Sequence, residues 1–123
     1  MNIGRVVLVQ YPWDDLSSTK GRPSLCLSEP RGDFRQLILA FIGSKIPPQL
    51  LDTDYVIEAA DADFAGTGLL KSSLVRVHRL ISISAGDIEK EIGVLSEMQM
   101  TEVDIRIARL FKRQHGPSRR DKG

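Results

Sequence analysis

Apolar and polar positions change places in short runs along most of this chain, and the runs have the length of strands rather than helices. Gly4 to Tyr11 is rich in valine and predicts a first strand, stopped by Pro12. Lys20 to Ser28, K-G-R-P-S-L-C-L-S, predicts a second, with Leu25 and Leu27 on one face and Ser24, Cys26 and Ser28 on the other. Pro23 is tolerated at a first strand position and keeps the preceding residue extended, which sets Arg22 at the rim of that strand. A turn over Glu29 to Asp33, with Pro30 and Gly32 as breakers, leads into Gln36 to Ile42. That run is apolar at nearly every position and predicts a central strand covered on both faces. Gly43, Ser44 and Lys45 follow it, then Pro47 and Pro48; strand ends of this kind are where sites are built.

Tyr55 to Ala59 predicts a short strand and Asp61 to Gly68 a loop with a tight turn at Gly66 and Gly68. Leu74 to Ile83 is a longer strand whose alternation puts Val75 and Val77 on one face and Arg76 and His78 side by side on the other. The remainder reads as helical. Asp87 to Ile92 predicts a short helical turn ended by Gly93 at the C-cap. Ser96 and Gln99 have capping-box spacing, and Met100, Val103, Ile107, Leu110 and Phe111 then recur on one helix face. Glu102 and Arg106 stand i, i+4 on the outside. This helix either closes a barrel or packs a partner subunit. About five short strands followed by a helix predict a small, mostly antiparallel barrel with appended helices, a single domain over residues 1–113 and a basic flexible tail over 114–123.

Composition narrows the class without naming a function. At 123 residues, 41% hydrophobic and 27% charged, the chain is an ordinary globular mixture, long enough for one core. No apolar run reaches the roughly 18 residues needed to span a bilayer, and the start lacks a basic region followed by an apolar block, so the expected location is the cytoplasm, with no membrane partner. The net charge of +1 is unevenly spread: Lys112, Arg113, Arg119, Arg120 and Lys122 against Asp121 give the last twelve residues +4, and the preceding 111 carry −3. A basic tail attracts RNA or is simply solvated.

Candidate chemistry is sparse. Cys26 is the only cysteine, which excludes an internal disulfide and a cysteine-based metal site, and its strand position suits a small packing residue better than a nucleophile. His78 and His115 are the only histidines. No metal and no cofactor is expected. Arg22 is either a solvated charge or an anion contact. Trp13, in the polar loop Pro12 to Lys20, either stacks on a base or covers an edge of the core. His78 changes protonation near neutral pH and is either a proton-transfer group or a half-exposed strand residue with no role.

Taken in order, six segments make the chain similar to the PemK/MazF family of toxins from type II toxin–antitoxin systems. They are G-R-V-V-L-V at Gly4 to Val9, K-G-R-P-S-L-C-L-S at Lys20 to Ser28, F-I-G-S-K at Phe41 to Lys45, D-F-A-G-T-G-L at Asp63 to Leu69, S-L-V-R-V-H-R-L at Ser73 to Leu80 and I-G-V-L-S at Ile92 to Ser96. The resemblance spans residues 4 to about 112. It implies a small SH3-like barrel of the MazF/PemK/CcdB kind with a C-terminal helix, usually a homodimer. It also implies a metal-independent endoribonuclease that cuts single-stranded RNA at short sequences and is neutralised by a cognate antitoxin, with DNA reached only through that antitoxin.

By the same resemblance Arg22 matches the arginine of the family's K-x-R-P segment and Arg76 that of its V-x-R-x-D/H strand. Two positions depart from the pattern: Gly43 stands where the family often has a threonine whose hydroxyl contacts the reacting phosphate, and His78 where some members have a catalytic aspartate. Metal-free cleavage needs the 2′-hydroxyl deprotonated, the 5′-oxygen protonated and the phosphorane's charge met by fixed donors. The expected catalytic residues are therefore Arg22 and Arg76, as cations on the phosphate, and His78 as base. Lys20, Ser44, Lys45 and Trp13 are the expected RNA contacts, Ser44 offering the hydroxyl that Gly43 lacks. Two other readings stand beside this one. A CcdB-like gyrase poison would end in Trp-Gly-Ile, unlike Arg119 to Gly123, and a degenerate barrel would act by binding alone.

Overall fold

The computed structural model describes residues 3–10 and 21–113; Trp13, Lys20, His115 and the tail expected over 114–123 lie outside the described residues. Six strands form one antiparallel sheet: β1 Arg5–Val9, β2 Arg22–Cys26, β3 Gln36–Gly43, β4 Asp54–Ile57, β5 Ser73–Ser84 and β6 Lys90–Val94, in the order β4-β5-β3-β2-β1-β6. The sheet curls into a half-barrel with a single helix, α1 Glu97–Leu110, which is the small barrel the alternation predicted.

The pleat divides the core into two clusters. Val6, Leu25, Ala40, Ile42, Val75 and Val77 face one way and meet Val103, Met100, Ile107 and Leu110 of α1. Val7, Val9, Cys26, Leu37 and Leu39 face the other way, with Phe41, Ile81 and Ile83 against them. Successive residues of β1, β2 and β3 thus serve opposite faces, as period two requires. β3 is covered on both faces from Leu39 to Ile42, but Ile38 is 38% exposed, so the coverage predicted for its whole length stops short of its first turn of pleat.

The helix starts where the capping box predicted. The Ser96 hydroxyl accepts from the Gln99 amide at 3.1 Å, and the Gln99 side chain accepts from the Ser96 amide at 2.8 Å. Its apolar stripe lies on its own sheet, over β4 and β5, and is not an open face for a partner subunit. Phe111, expected on that stripe, lies just past the helix and is 64% exposed. Arg106 is not on the outside either: besides Glu102 at 2.7 Å, it donates to the Asp54 carbonyl at 2.8 Å and lies over the Tyr55 ring.

One predicted element is replaced. Asp87 to Ile92 is not a helical turn: a 3-10 turn over Ala85–Asp87 leads into β6, which pairs with β1 through Arg5↔Val94 and Leu8↔Lys90. The open backbone edge of β1 decides this, since every unpaired N–H and C=O there needs a partner. Gly93 is correspondingly no C-cap. A Cβ on it would collide with the backbone of Gly66 and Thr67, so its bare Cα is what lets the Ala65–Thr67 turn rest on β6.

Candidate active site

All the strand ends that matter meet at one end of the sheet. β2 begins there with Arg22 opposite Val9 and Pro23 opposite Leu8; β3 ends there at Gly43; β5 begins there at Ser73; β6 begins there with Lys90 opposite Leu8. Across this end runs a groove of about 940 Å³ whose walls include Arg22, Ser44, Lys45, Lys71, Arg76 and Arg79. Five of those six are cations, and among the described residues Glu89 is the one carboxylate in the lining. A groove so charged attracts a polyanion.

Arg76 is set by two strands at once, opposite Phe41 on β3 and Asp54 on β4. Its Nε and Nη2 donate to the two Asp54 carboxylate oxygens at 3.2 and 3.1 Å. The Asp54 side chain is wholly buried and also accepts the Leu51 amide at 2.9 Å, so the carboxylate is fixed before it fixes the guanidinium. A bidentate fork of this kind uses one edge of Arg76 and aims the remainder.

β5 then breaks step. Arg76 pairs with Phe41 but Leu80 pairs with Ala40, so Val77, His78 and Arg79 have no counterparts on β3. This bulge shifts the parity of the strand. Val75 and Val77 face the helix side before it; after it Leu80 faces the helix side and Ile81 and Ile83 the other. Arg79 thereby comes into the groove lining with Arg76 and lies over the Phe41 ring, 4.4 Å from its centroid. His78 is exposed at the bulge and is not among the lining residues, contrary to the side-by-side placement that simple alternation predicted.

Two glycines make room in the walls. A Cβ on Gly21 would come within 2.6 Å of a Glu89 carboxylate oxygen, so that carboxylate rests against the turn just before Arg22. A Cβ on Gly43 would come within 2.8 Å of the Phe41 ring, which lies across the bare Cα. Ser44 and Lys45 are both exposed in the lining, where the sequence placed them. Cys26 is 1% exposed, its thiol donates to the Ser28 carbonyl at 3.3 Å, and burial pushes that thiol up, as befits a packing residue with no part in the groove.

The residues missed from sequence are Arg79, Lys71, Glu89 and the Asp54 that holds Arg76. Alternation singled out Arg76 and His78 and said nothing of Arg79, and Glu89 fell within the supposed helical turn. Asp54 is 22 residues from Arg76 and carries no local signal of the pairing.

A curled antiparallel half-barrel backed by one helix, with a cationic groove across the end of its sheet, defines a small SH3-like barrel protein. Residues 2–111 match the model of the PemK-like, MazF-like toxins of type II toxin–antitoxin systems, and the chain belongs to that family. Among solved structures it is similar to the Mycobacterium tuberculosis toxin MazF-mt6, with 22% identity over 90% of this chain and 99% of that one and a TM-score of 0.65. It is also similar to a mycobacterial endoribonuclease solved with its cognate antitoxin, with 11% identity over 94% and 99% of the two chains and the same TM-score of 0.65. A further Mycobacterium tuberculosis toxin gives 22% identity over 87% of this chain and 100% of the other, with a TM-score of 0.62. No curated protein sequence is similar enough to match. Among the described residues no helix is long and apolar enough to cross a membrane.

Proposed function

We propose that this protein is the toxin of a type II toxin–antitoxin pair and acts as a metal-independent endoribonuclease on single-stranded RNA. The observation that supports this best is the groove, which gathers Arg22, Arg76, Arg79, Lys45 and Lys71 at one end of a PemK/MazF-family barrel. In the reaction the 2′-hydroxyl loses its proton and its oxygen bonds to the adjacent phosphorus. The bond to the 5′-oxygen then breaks as that oxygen takes up a proton, giving a 2′,3′-cyclic phosphate and a 5′-hydroxyl. Arg22 and Arg76 hold the phosphate by charge-assisted hydrogen bonds, which strengthen as negative charge builds on the phosphorane. Ser44 offers a hydroxyl to the same phosphate or its neighbour, and Lys45, Lys71 and the expected Lys20 steer the strand. Glu89, the one carboxylate of the lining among the described residues, is the favoured acceptor of the 2′ proton, ahead of the exposed His78.

The family and the likeness to an antitoxin-bound endoribonuclease support a cognate antitoxin as the protein partner, a homodimer as the working state and the cytoplasm as the place of action. Light scattering of the purified protein is then expected to give twice the monomer mass. The domain is proposed to run through residue 113, with 114–123 as an appended basic segment.

The test is incubation of the purified protein with a long single-stranded RNA in EDTA, with the ends of the fragments mapped. Discrete cuts bearing 2′,3′-cyclic phosphate are expected, lost in Arg22→Ala and slowed about 10²–10⁴-fold in Glu89→Gln, while His78→Ala keeps most of the activity. The opposite ranking of the last two would return the base to His78. RNA bound but uncut by the parent would leave the binding-only barrel as the better description.

A further inference from the structure

Gly43, Phe41 and Arg79 form one unit, although no two of them are neighbours in sequence. Phe41 stands on β3 opposite Arg76, and its ring lies back across Gly43, close enough that a Cβ there would sit 2.8 Å from Cε2. The guanidinium of Arg79 rests over that ring at 4.4 Å, a cation–π distance. Arg79 gets there only because the Val77 to Arg79 bulge turns it to the same side as Arg76. All three residues line the groove together with Arg76, Ser44 and Arg22. The bare Cα therefore admits the ring, and the ring seats the guanidinium in the groove lining.

On the ribonuclease reading given above, we propose that Arg79 is a catalytic residue: it donates to the reacting phosphate from the groove lining, in the role that the hydroxyl of a threonine at 43 would otherwise fill. An arginine suits this role, since its planar fork of five N–H donors keeps its charge at any working pH and matches phosphate oxygens two at a time. Stacking on Phe41 holds the plane of that fork, so less rotamer freedom is lost when the phosphate arrives. With Arg76 anchored by Asp54 and Arg79 anchored by Phe41, two guanidinium groups three residues apart on β5 meet the developing charge, each fixed by a different neighbour. The proposal couples positions 43 and 79. A threonine at 43 would displace the ring and Arg79 with it, so the family hydroxyl and this arginine exclude one another.

Two measurements test it on Arg79→Ala, Arg79→Lys, Gly43→Thr and the double variant Gly43→Thr/Arg79→Ala, each first checked for a parent-like melting curve by circular dichroism. The first is single-turnover cleavage of a short RNA containing one cut site. Arg79→Ala is expected to slow it about 10²–10³-fold, as loss of a fixed oxyanion donor does. Arg79→Lys is expected to fall between that and the parent. Gly43→Thr should slow the parent but speed the Arg79→Ala variant, a reversal of sign that a merely structural role for Arg79 does not produce. The second is binding of the same oligonucleotide made uncleavable by 2′-O-methyl groups, against salt. Losing one phosphate contact should flatten the slope of log K against log salt by about 0.7.

Cleavage by Arg79→Ala within about twofold of the parent would overturn the proposal, even with a flattened slope, because Arg79 would then hold only a flanking phosphate. If the parent cuts no RNA, the ribonuclease reading fails first. The salt slope still decides Arg79 separately, since an unchanged slope shows that it meets no phosphate.

Discussion

Arg22 and Arg76 both line the groove, and Arg76 is in addition tied to a buried carboxylate. Asp54 is wholly buried, and its carboxylate is committed to Arg76 and to the Leu51 amide. Removing Arg76 would leave that charge uncompensated, at a cost of about 3–5 kcal/mol. Arg22 is exposed at the first position of β2, where losing a side-chain interaction costs about 1 kcal/mol or less. Urea unfolding is therefore expected to show a midpoint far below the parent's for Arg76→Ala and one close to it for Arg22→Ala. Equal midpoints would show that the Asp54 pair does not support the fold. The practical consequence is that lost cleavage in Arg22→Ala reports on chemistry, whereas in Arg76→Ala it reports on folding as well. Arg22 was legible at a strand rim because Pro23 fixes its backbone, and as a phosphate contact only through the family resemblance. Asp54 was not, because what makes it the partner of Arg76 is the pairing of β4 with β5.

At the scale of elements, the groove depends on a contact between β6 and the turn before β5. Gly93 and the Ala65–Thr67 turn touch backbone to backbone, and Gly68, at φ 74°, crowds the Ile92 carbonyl in the same way. Gly68, Leu69, Leu70, Lys71 and Ile92 continue from this contact into the groove wall. A methyl group at position 93 must push the turn away, an overpacking that costs typically about 1–3 kcal/mol. Ser96→Ala removes the helix cap and also a hydroxyl that donates to Asp63 at 2.7 Å, for about 1 kcal/mol, yet it leaves the wall in place. Gly93→Ala is accordingly expected to weaken binding of an uncleavable RNA several-fold where Ser96→Ala does not, although both lower the melting temperature. Equal RNA affinities in the two variants would mean that the wall takes no part in binding. The helix end was readable from Ser96 and Gln99 because a cap is a local device; β6 was not, because a five-residue strand of mixed polarity is made by its neighbour.

For the whole molecule, overall charge is a poor guide to where the field lies. The chain is nearly neutral at +1, but among the described residues the groove lining holds five cations against one carboxylate. Attraction of RNA should therefore be local and sensitive to salt. If three or four phosphates seat on Arg22, Arg76, Arg79 and the flanking lysines, log K for the uncleavable strand falls against log salt with a slope of about −2 to −3. Fluorescence anisotropy at several salt concentrations measures this, and a slope near zero would contradict a phosphate-binding groove. The shape behind that field comes from the curl of a six-stranded sheet that brings four strand ends together.

The sequence by itself determined the barrel class, the helix and its cap, the packing role of Cys26, and Arg22, Ser44, Lys45 and Arg76 as groove candidates. The barrel, the cap, the role of Cys26 and the strand-end residues follow from periodicity two, capping chemistry and strand punctuation, which act within a few residues along the chain; Arg76, and Arg22 as a phosphate contact, came from the resemblance to the PemK/MazF family. Tertiary structure alone decided that β6 is a strand, that Asp54 anchors Arg76, and that Arg79 rather than His78 turns into the groove. The last of these rests on the register between β3 and β5: three residues of β5 find no partner on β3. Alternation counts along one strand, and a bulge is a mismatch between two.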